Sequence, residues 1–400
     1  MTARRAAFFG LLAGALVAAL YTGERLYVMI LVIMSSLLLL ALGHVFYTLA
    51  AFRYQQTLSR SSAMKGDEVH ISIVLHNEGI IPFANVRATY WLPDCLRGAP
   101  PHRLEGDVPA RGELRCEVDF TCLYRGEYNP GLLSVKVSDL FGLLSVSLPY
   151  EKFSYQSLRL IVRPRVTDLS DEARVAMIRL GRMDSEDTTA QEVSSVHDIR
   201  AYREGDALKR VHYKLSARRR SVLVKEFEGS ARPNTLLLLD VRKHGREAVE
   251  ALEIEDAMVE AATALAHGML AVRAPVRLVG YGAHRFEASG SEPRDFDTMY
   301  AYLALVQFDG KHALNDVMTL EASSKGQHVL LVTSALDPKL YGAMLALREA
   351  GDDVAAVVVA TYAERIDGAN RYAAELNRRG VRCTILSPGE PLGAAGEVSG

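Results

Sequence analysis

Residues 234–245 read NTLLLLDVRKHG. The apolar run Thr235–Leu239 stops abruptly at Asp240. A short, continuous apolar run closed by polar residues reads as a strand buried on both faces. Runs of the same texture follow at Val276–Gly280, His328–Thr333, Val354–Val359 and Val381–Leu386. Helical patterns lie between them. In the first, Ala251, Ile254, Met258, Ala261, Leu265 and Met269 recur every three or four positions, which places them on one helix face. Further helices are expected over 295–306, 339–350 and 369–379. Buried strands alternating with helices predict an α/β domain over 234–388, with a parallel sheet covered on both sides. The Gly- and Ala-rich segment 389–400 is expected to be a disordered tail.

Upstream, the texture is different. Val69, Ile71, Ile73 and Leu75 alternate with other residues and end at the turn Asn77-Glu78-Gly79. Later runs at 85–92, 113–124, 132–137 and 142–148 are separated by turns such as Asn129-Pro130-Gly131. Short strands at regular spacing predict an antiparallel β-sandwich of immunoglobulin type over 59–163. Trp91, the sole tryptophan, is expected in its core. A linker and a basic segment, 164–233, join the two domains, with a short helix expected over 168–180.

The N-terminus is more apolar still. No charged residue lies between Ala6 and Gly23, or between Leu26 and Phe52. About 20 apolar residues of helix cross a bilayer, so residues 1–53 predict a transmembrane helical hairpin with spans 6–23 and 26–52. Arg4 and Arg5 precede it, and Arg53, Arg60 and Lys65 follow it. The positive-inside rule then puts both termini and the soluble body in the cytoplasm, at a bacterial inner membrane. A cleaved signal peptide is the competing reading, and it is disfavoured because a second, longer span follows at once. His44, near the end of the second span, reads as an interfacial residue.

For the whole chain of 400 residues, 46 Lys and Arg meet 48 Asp and Glu. That balance gives no global reason to expect nucleic-acid binding. Cys95, Cys116, Cys122 and Cys383 show no zinc-ligand spacing. No glycine-rich phosphate loop, GxSxG or HExxH pattern is present, so no enzymatic activity is expected.

The segment 197–232 stands out. It carries ten Lys and Arg against five Asp and Glu. A helix is expected over 208–218 and a strand over 221–228. Such a patch suits an interdomain clamp or a partner surface, because guanidinium forks pair with carboxylates. Binding of anionic lipid through 197–232 is the alternative. Aromatic residues are too sparse there to favour nucleic acid.

At this segment the chain resembles the bacterial "domain of unknown function fifty-eight" family. Its signature runs R-x-Y-x-x-G-D-x-x-R-x-I-H/D-W-x-x-S-A-R, followed by L-x-V-x-E-x-E. Arg200, Tyr202, Gly205, Asp206, His212, Ser216, Ala217, Arg218, Val224, Glu226 and Glu228 match it. Lys209 stands for the usual first Arg, with Arg210 beside it, and Tyr213 stands for the Trp. Arg203, Lys214 and Lys225 complete the candidate binding surface. Family-like pieces recur at Tyr124-Arg125-Gly126-Glu127-Tyr128 and Asp139-Leu140-Phe141-Gly142-Leu143.

The resemblance implies a membrane-anchored protein with a von Willebrand factor A-like domain and no established activity. By analogy with such proteins, its partners would be a MoxR-type AAA+ ATPase and a transglutaminase-like membrane protein. The expected role is a scaffold or adaptor. In von Willebrand A domains the first strand ends D-x-S-x-S and helps to hold a divalent cation. Here Asp240 is in place, but Arg242 and His244 occupy the serine positions. With Ser334 and Asp337, Asp240 remains a candidate Mg²⁺ ligand for a metal-dependent hydrolase, the rival reading. Pairing of Asp240 with Arg242, or capping of the next turn, is the simpler alternative.

Overall fold

The computed structural model describes residues 3–93, 102–148, 158–167, 196–201, 216, 222–227, 235–243, 245, 248–322, 327–361, 364 and 368–389. They fall into two compact units, Met1–Arg163 and Pro164–Gly400.

The first unit opens with helices α1 (Ala3–Thr22) and α2 (Arg25–Ala51), reversed at Gly23, whose φ is 65°. Both are long and apolar enough to cross a membrane. α2 runs without a linker into β1 (Phe52–Leu58), so the β region begins at Phe52 rather than Ser59. After it come β2 (Ser62–Met64), β3 (Glu68–Asn77), β4 (Phe83–Trp91), β5 (His102–Val108), β6 (Glu113–Thr121), β7 (Gly126–Tyr128), β8 (Gly131–Ser138), β9 (Ser145–Leu148) and β10 (Leu160–Arg163). An antiparallel sheet β1-β3-β6 and another, β5-β4-β8-β9, contribute to one core, and β10 joins β2 to β7.

The alternation read in β3 holds: Val69, Ile71, Ile73 and Leu75 are fully buried there. β5 was not expected; its two large apolar residues, Leu104 and Val108, lie among His102, Arg103, Glu105 and Asp107, too polar a run to signal a strand. Trp91 is only half-buried and packs 6.0 Å from Tyr128. Its neighbours Tyr90 and Leu92 take the core positions instead, because successive side chains point to opposite faces.

In the second unit, β11 (Val196–Ala201) pairs antiparallel with β12 (Leu223–Phe227). The rest is a mixed six-stranded sheet with helices. Its elements are β13 (Thr235–Leu239), α3 (Ala248–Ala271), β14 (Val276–Tyr281), β15 (Arg285–Gly290), α4 (Phe296–Leu305), α5 (Leu314–Glu321), β16 (His328–Thr333), α6 (Pro338–Glu349), β17 (Asp353–Val359), α7 (Asn370–Arg378) and β18 (Arg382–Leu386).

β13 is buried along its whole length. Leu237 and Leu239 enter one core with Ile254 and Met258 of α3. Leu236 and Leu238 enter another with Leu340 and Met344 of α6. Each such leucine contributes about 2 kcal/mol by burial.

The sheet is not wholly parallel. β15 pairs antiparallel with β14 at the edge, and its half-exposed alternation carries no continuous apolar run. The short α5 was also unforeseen. The helix expected over 168–180 lies outside the described residues, as does most of that expected over 208–218 and the tail from 390 onward.

Candidate functional site

The strand order is β15-β14-β13-β16-β17-β18. In chain order this is 3-2-1-4-5-6, so the connections reverse direction between β13 and β16. In open α/β sheets, ligands bind at the carboxyl ends of the strands flanking such a reversal. Asp240 lies there, directly after β13, and Thr333 ends β16. The Asp240 N–H donates to the Val332 carbonyl at 2.9 Å, which extends the strand pairing to the edge.

Asp240 is only 4% exposed. Arg242 donates to it through Nε to Oδ1 at 2.9 Å and through Nη2 to Oδ2 at 2.7 Å. The Arg242 backbone N–H reaches Oδ1 at 3.2 Å. Thr333, fully buried, donates its hydroxyl to Oδ2 at 2.7 Å. The bidentate fork is the strong form of a carboxylate contact. Hydrogen bonding to Asp240 holds the Arg242 guanidinium above its ordinary pKa against the effect of burial, and the fields of Asp240 and Asp337 add to it.

Gly310 closes one side. Its N–H donates to the Val241 carbonyl at 2.9 Å, and it bridges to Arg242 in parallel fashion. A Cβ at Gly310 would stand 2.3 Å from the Tyr281 carbonyl oxygen, so only glycine fits. Asp309 accepts from the Ala283 N–H at 2.7 Å and pins the same loop.

The residues do not fit a divalent cation. Both Asp240 oxygens are engaged, and a permanent cation lies against them. Asp337 caps α6, its Oδ1 accepting from the Leu340 N–H at 2.7 Å. Ser334 is buried at 6% exposure. No group of three or more His, Cys, Asp or Glu poised for a metal exists among the described residues.

A second buried carboxylate, Glu321 at the end of α5, is 8% exposed. Arg277 donates to it at 2.7 Å, Arg285 at 3.0 Å and the Tyr281 hydroxyl at 2.5 Å. Desolvation pushes against its ionised form, but these hydrogen bonds win and hold the carboxyl below its ordinary range. Burial and the bond to Glu321 raise the Tyr281 phenol. Arg277 and Arg285 also meet Glu287, so this network is neutral in total.

Of the basic segment, the strand pairings place Arg200 opposite Val224, Ile199 opposite Lys225 and Asp198 opposite Glu226. Ser216 has helical backbone. Tyr202, Arg203, Gly205, Asp206, Lys209, Arg210, His212, Tyr213, Lys214, Ala217 and Arg218 lie outside the described residues, as does His244. Cys122 and Cys383 are buried free thiols, pushed by burial to about 11 and about 12 respectively. Sequence reasoning passed over Thr333, although its place just before Ser334 at a strand's carboxyl end was a usable signal. Gly310 gave none, because its role depends on where the chain returns.

Residues 198–366 match the family described as "Protein of unknown function DUF58". The chain is 23% identical over 357 residues to the uncharacterised protein YeaD of Bacillus subtilis (strain 168), covering 86% of this chain and 85% of that one. Among solved structures, it is similar to the CARDB domain of a Pyrococcus furiosus protein, with 9% identity, coverage of 28% and 88%, and a TM-score of 0.19. It is also similar to the sporulation control protein Spo0M of Bacillus subtilis, with 10% identity, coverage of 38% and 58%, and a TM-score of 0.17.

Proposed function

Residues 198–366 belong to the DUF58 family, and from that premise we propose that the protein is a membrane-anchored adaptor whose α/β unit receives a protein partner. In this reading the sheet is a von Willebrand A-like domain and the β region an immunoglobulin-like sandwich. Two spans hold both in the cytoplasm at a bacterial inner membrane. The partner class is a MoxR-type AAA+ ATPase, with a transglutaminase-like membrane protein nearby.

The observation that carries the reading is the Arg242–Asp240–Thr333 cluster. A carboxylate with both oxygens engaged holds no cation until the guanidinium is displaced. The crevice where an α/β sheet would place ligand chemistry is thus filled from within. What faces outward is the edge of Arg242, whose side chain is 27% exposed. That edge suits recognition of a carboxylate-bearing protein surface. The adjoining basic segment extends the same charge in sequence.

The test is mild-detergent extraction of the tagged full-length protein from native membranes, with mass spectrometry of what co-purifies. An AAA+ ATPase is expected with the wild type. It should be depleted when Arg210 and Arg218 are replaced by Ala, with membrane residence unchanged. Equal recovery from both would remove the partner role. Stoichiometric Mg²⁺ or Mn²⁺ lost on Asp240→Ala would instead favour a metal-dependent hydrolase.

A further inference from the structure

The last turns of α2 are clamped to the β region of their own unit. The Tyr47 hydroxyl accepts the N–H groups of Ile80 and Ile81 at 2.5 and 3.3 Å. His44, 7% exposed, has Nε2 at 3.3 Å from the Pro82 carbonyl. On the opposite flank, Arg5 of α1 donates Nε to the Gly142 carbonyl at 3.0 Å. Two β loops are thereby held against the two helices of membrane-spanning character.

Between them lies an apolar groove of about 780 Å³. Its floor is one face of α2, with Leu39, Leu40, Gly43, His44 and Tyr47 at helical spacing. Its far wall is Ile81, Leu140 and Phe141. Leu140 and Phe141 sit at the tip of a built turn. The buried carboxylate of Asp139 accepts the Phe141 N–H at 2.9 Å and the Leu144 N–H at 2.5 Å, and Gly142 takes a φ of 69°. This rigid turn presents apolar side chains outward: Leu140 is 48% and Phe141 51% exposed, and Ile80 on the neighbouring loop is 69% exposed.

We propose that this groove holds one acyl chain of a membrane phospholipid, and that the Leu140–Phe141 turn and Ile80 insert into the same leaflet. The proposal rests on the membrane-anchored reading. Depth argues for the occupant. At 27 residues α2 is longer than the bilayer core, about 40 Å against about 30 Å, so its second half reaches from hydrocarbon to interface. The groove floor is continuous with the lipid-directed face, where Leu39 and Leu40 are 68% and 62% exposed. Tyr47 stands where interfacial aromatics gather. Arg5, at the Gly142 end, supplies a cation at the level of a lipid phosphate.

The experiment uses the full-length protein in nanodiscs of phosphatidylglycerol and phosphatidylethanolamine. Native mass spectrometry is expected to show a phospholipid retained by the wild type after bulk lipid is stripped. Gly43→Phe fills the groove; a Cβ there meets nothing within 4 Å, so the side chain enters open space. Retained lipid should be lost in this variant while the thermal melt is kept. In a Trp91→Phe background, Phe141→Trp should be quenched by acyl-brominated phospholipid.

Equal lipid retention by Gly43→Phe and wild type, absence of quenching, or a dimer in place of bound lipid would each overturn the proposal. Carbonate extraction separates the two levels. Release into the soluble fraction refutes the anchor and the groove with it. Retention in the membrane without specific lipid refutes the groove alone.

Discussion

Two carboxylates of the α/β unit are buried to nearly the same degree, Asp240 at 4% and Glu321 at 8% exposure, yet they are neutralised in different ways. Asp240 is paired from two residues away, by the continuation of its own strand. Glu321 is paired across 36–44 residues by β14 and β15. The first pairing closes a crevice at the sheet's carboxyl end and joins no distant helix to it. The second staples a short helix to the sheet edge. A buried charge can therefore mark either a filled site or a structural rivet, and the sequence distance of its cationic partners, two residues for Asp240 against 36 and 44 for Glu321, tells which.

The largest effect is expected at the rivet. Glu321→Gln keeps the shape but leaves Arg277 and Arg285 with Glu287 alone of their two shared anions. Losing one partner of a buried ionic network costs about 3 kcal/mol, readable by urea denaturation of the full-length protein. The sign with pH follows from the depressed carboxyl. Its stabilisation is present above the unfolded value of about 4.3 and is lost as pH falls through the lower folded value. The wild type should therefore lose stability on acidification below about pH 5, and Glu321→Gln should show a shallower acid limb. Parallel limbs would show that Glu321 is not the group responsible.

Breaking the filled site should cost less and yield something new. Arg242→Ser removes the fork and restores a hydroxyl two residues after Asp240. Asp240 would keep the Thr333 hydroxyl and a backbone N–H, so the loss is about 2 kcal/mol. The freed carboxylate and the new hydroxyl two residues on are oxygens of the kind a hard cation takes. Millimolar Mn²⁺ or Mg²⁺ is expected to raise the melting temperature of Arg242→Ser and leave the wild type unmoved. An unmoved variant would show that the guanidinium is not standing in for a cation.

The sequence made much of this comparison legible, for stated reasons. The run Thr235–Leu239 announced a strand buried on both faces, and Arg242 in a serine position announced that the edge was altered. The pairing of Asp240 with Arg242 was readable because both partners lie in one loop. Glu321 was invisible. Its helix is a single short stretch, and Arg277 and Tyr281 lie on β14 while Arg285 opens β15. Only the return of the chain makes them partners. β15 and β5 were missed for the same reason, since half-exposed strands carry weak period-two signals. The Leu140–Phe141 turn was noticed as a motif, but its meeting with α2 depends on tertiary placement.

The finest test compares the two hydroxyl donors, Thr333 for Asp240 and Tyr281 for Glu321. Thr333→Val is nearly isosteric, and it removes a fully buried hydroxyl with two duties. That oxygen donates to Asp240 at 2.7 Å and accepts the Ala335 N–H at 3.1 Å. Both groups would be left short in a dry place, at a cost of about 2 kcal/mol. Tyr281→Phe removes a hydroxyl that is partly exposed, and Glu321 keeps two guanidinium partners. Its cost should be about 0.5 kcal/mol. If Tyr281→Phe proves the more damaging, then the 2.5 Å contact between Tyr281 and Glu321 carries more of the rivet than the two arginines do. The contrast between a local lock and a long-range staple would then have to be redrawn around a single hydrogen bond.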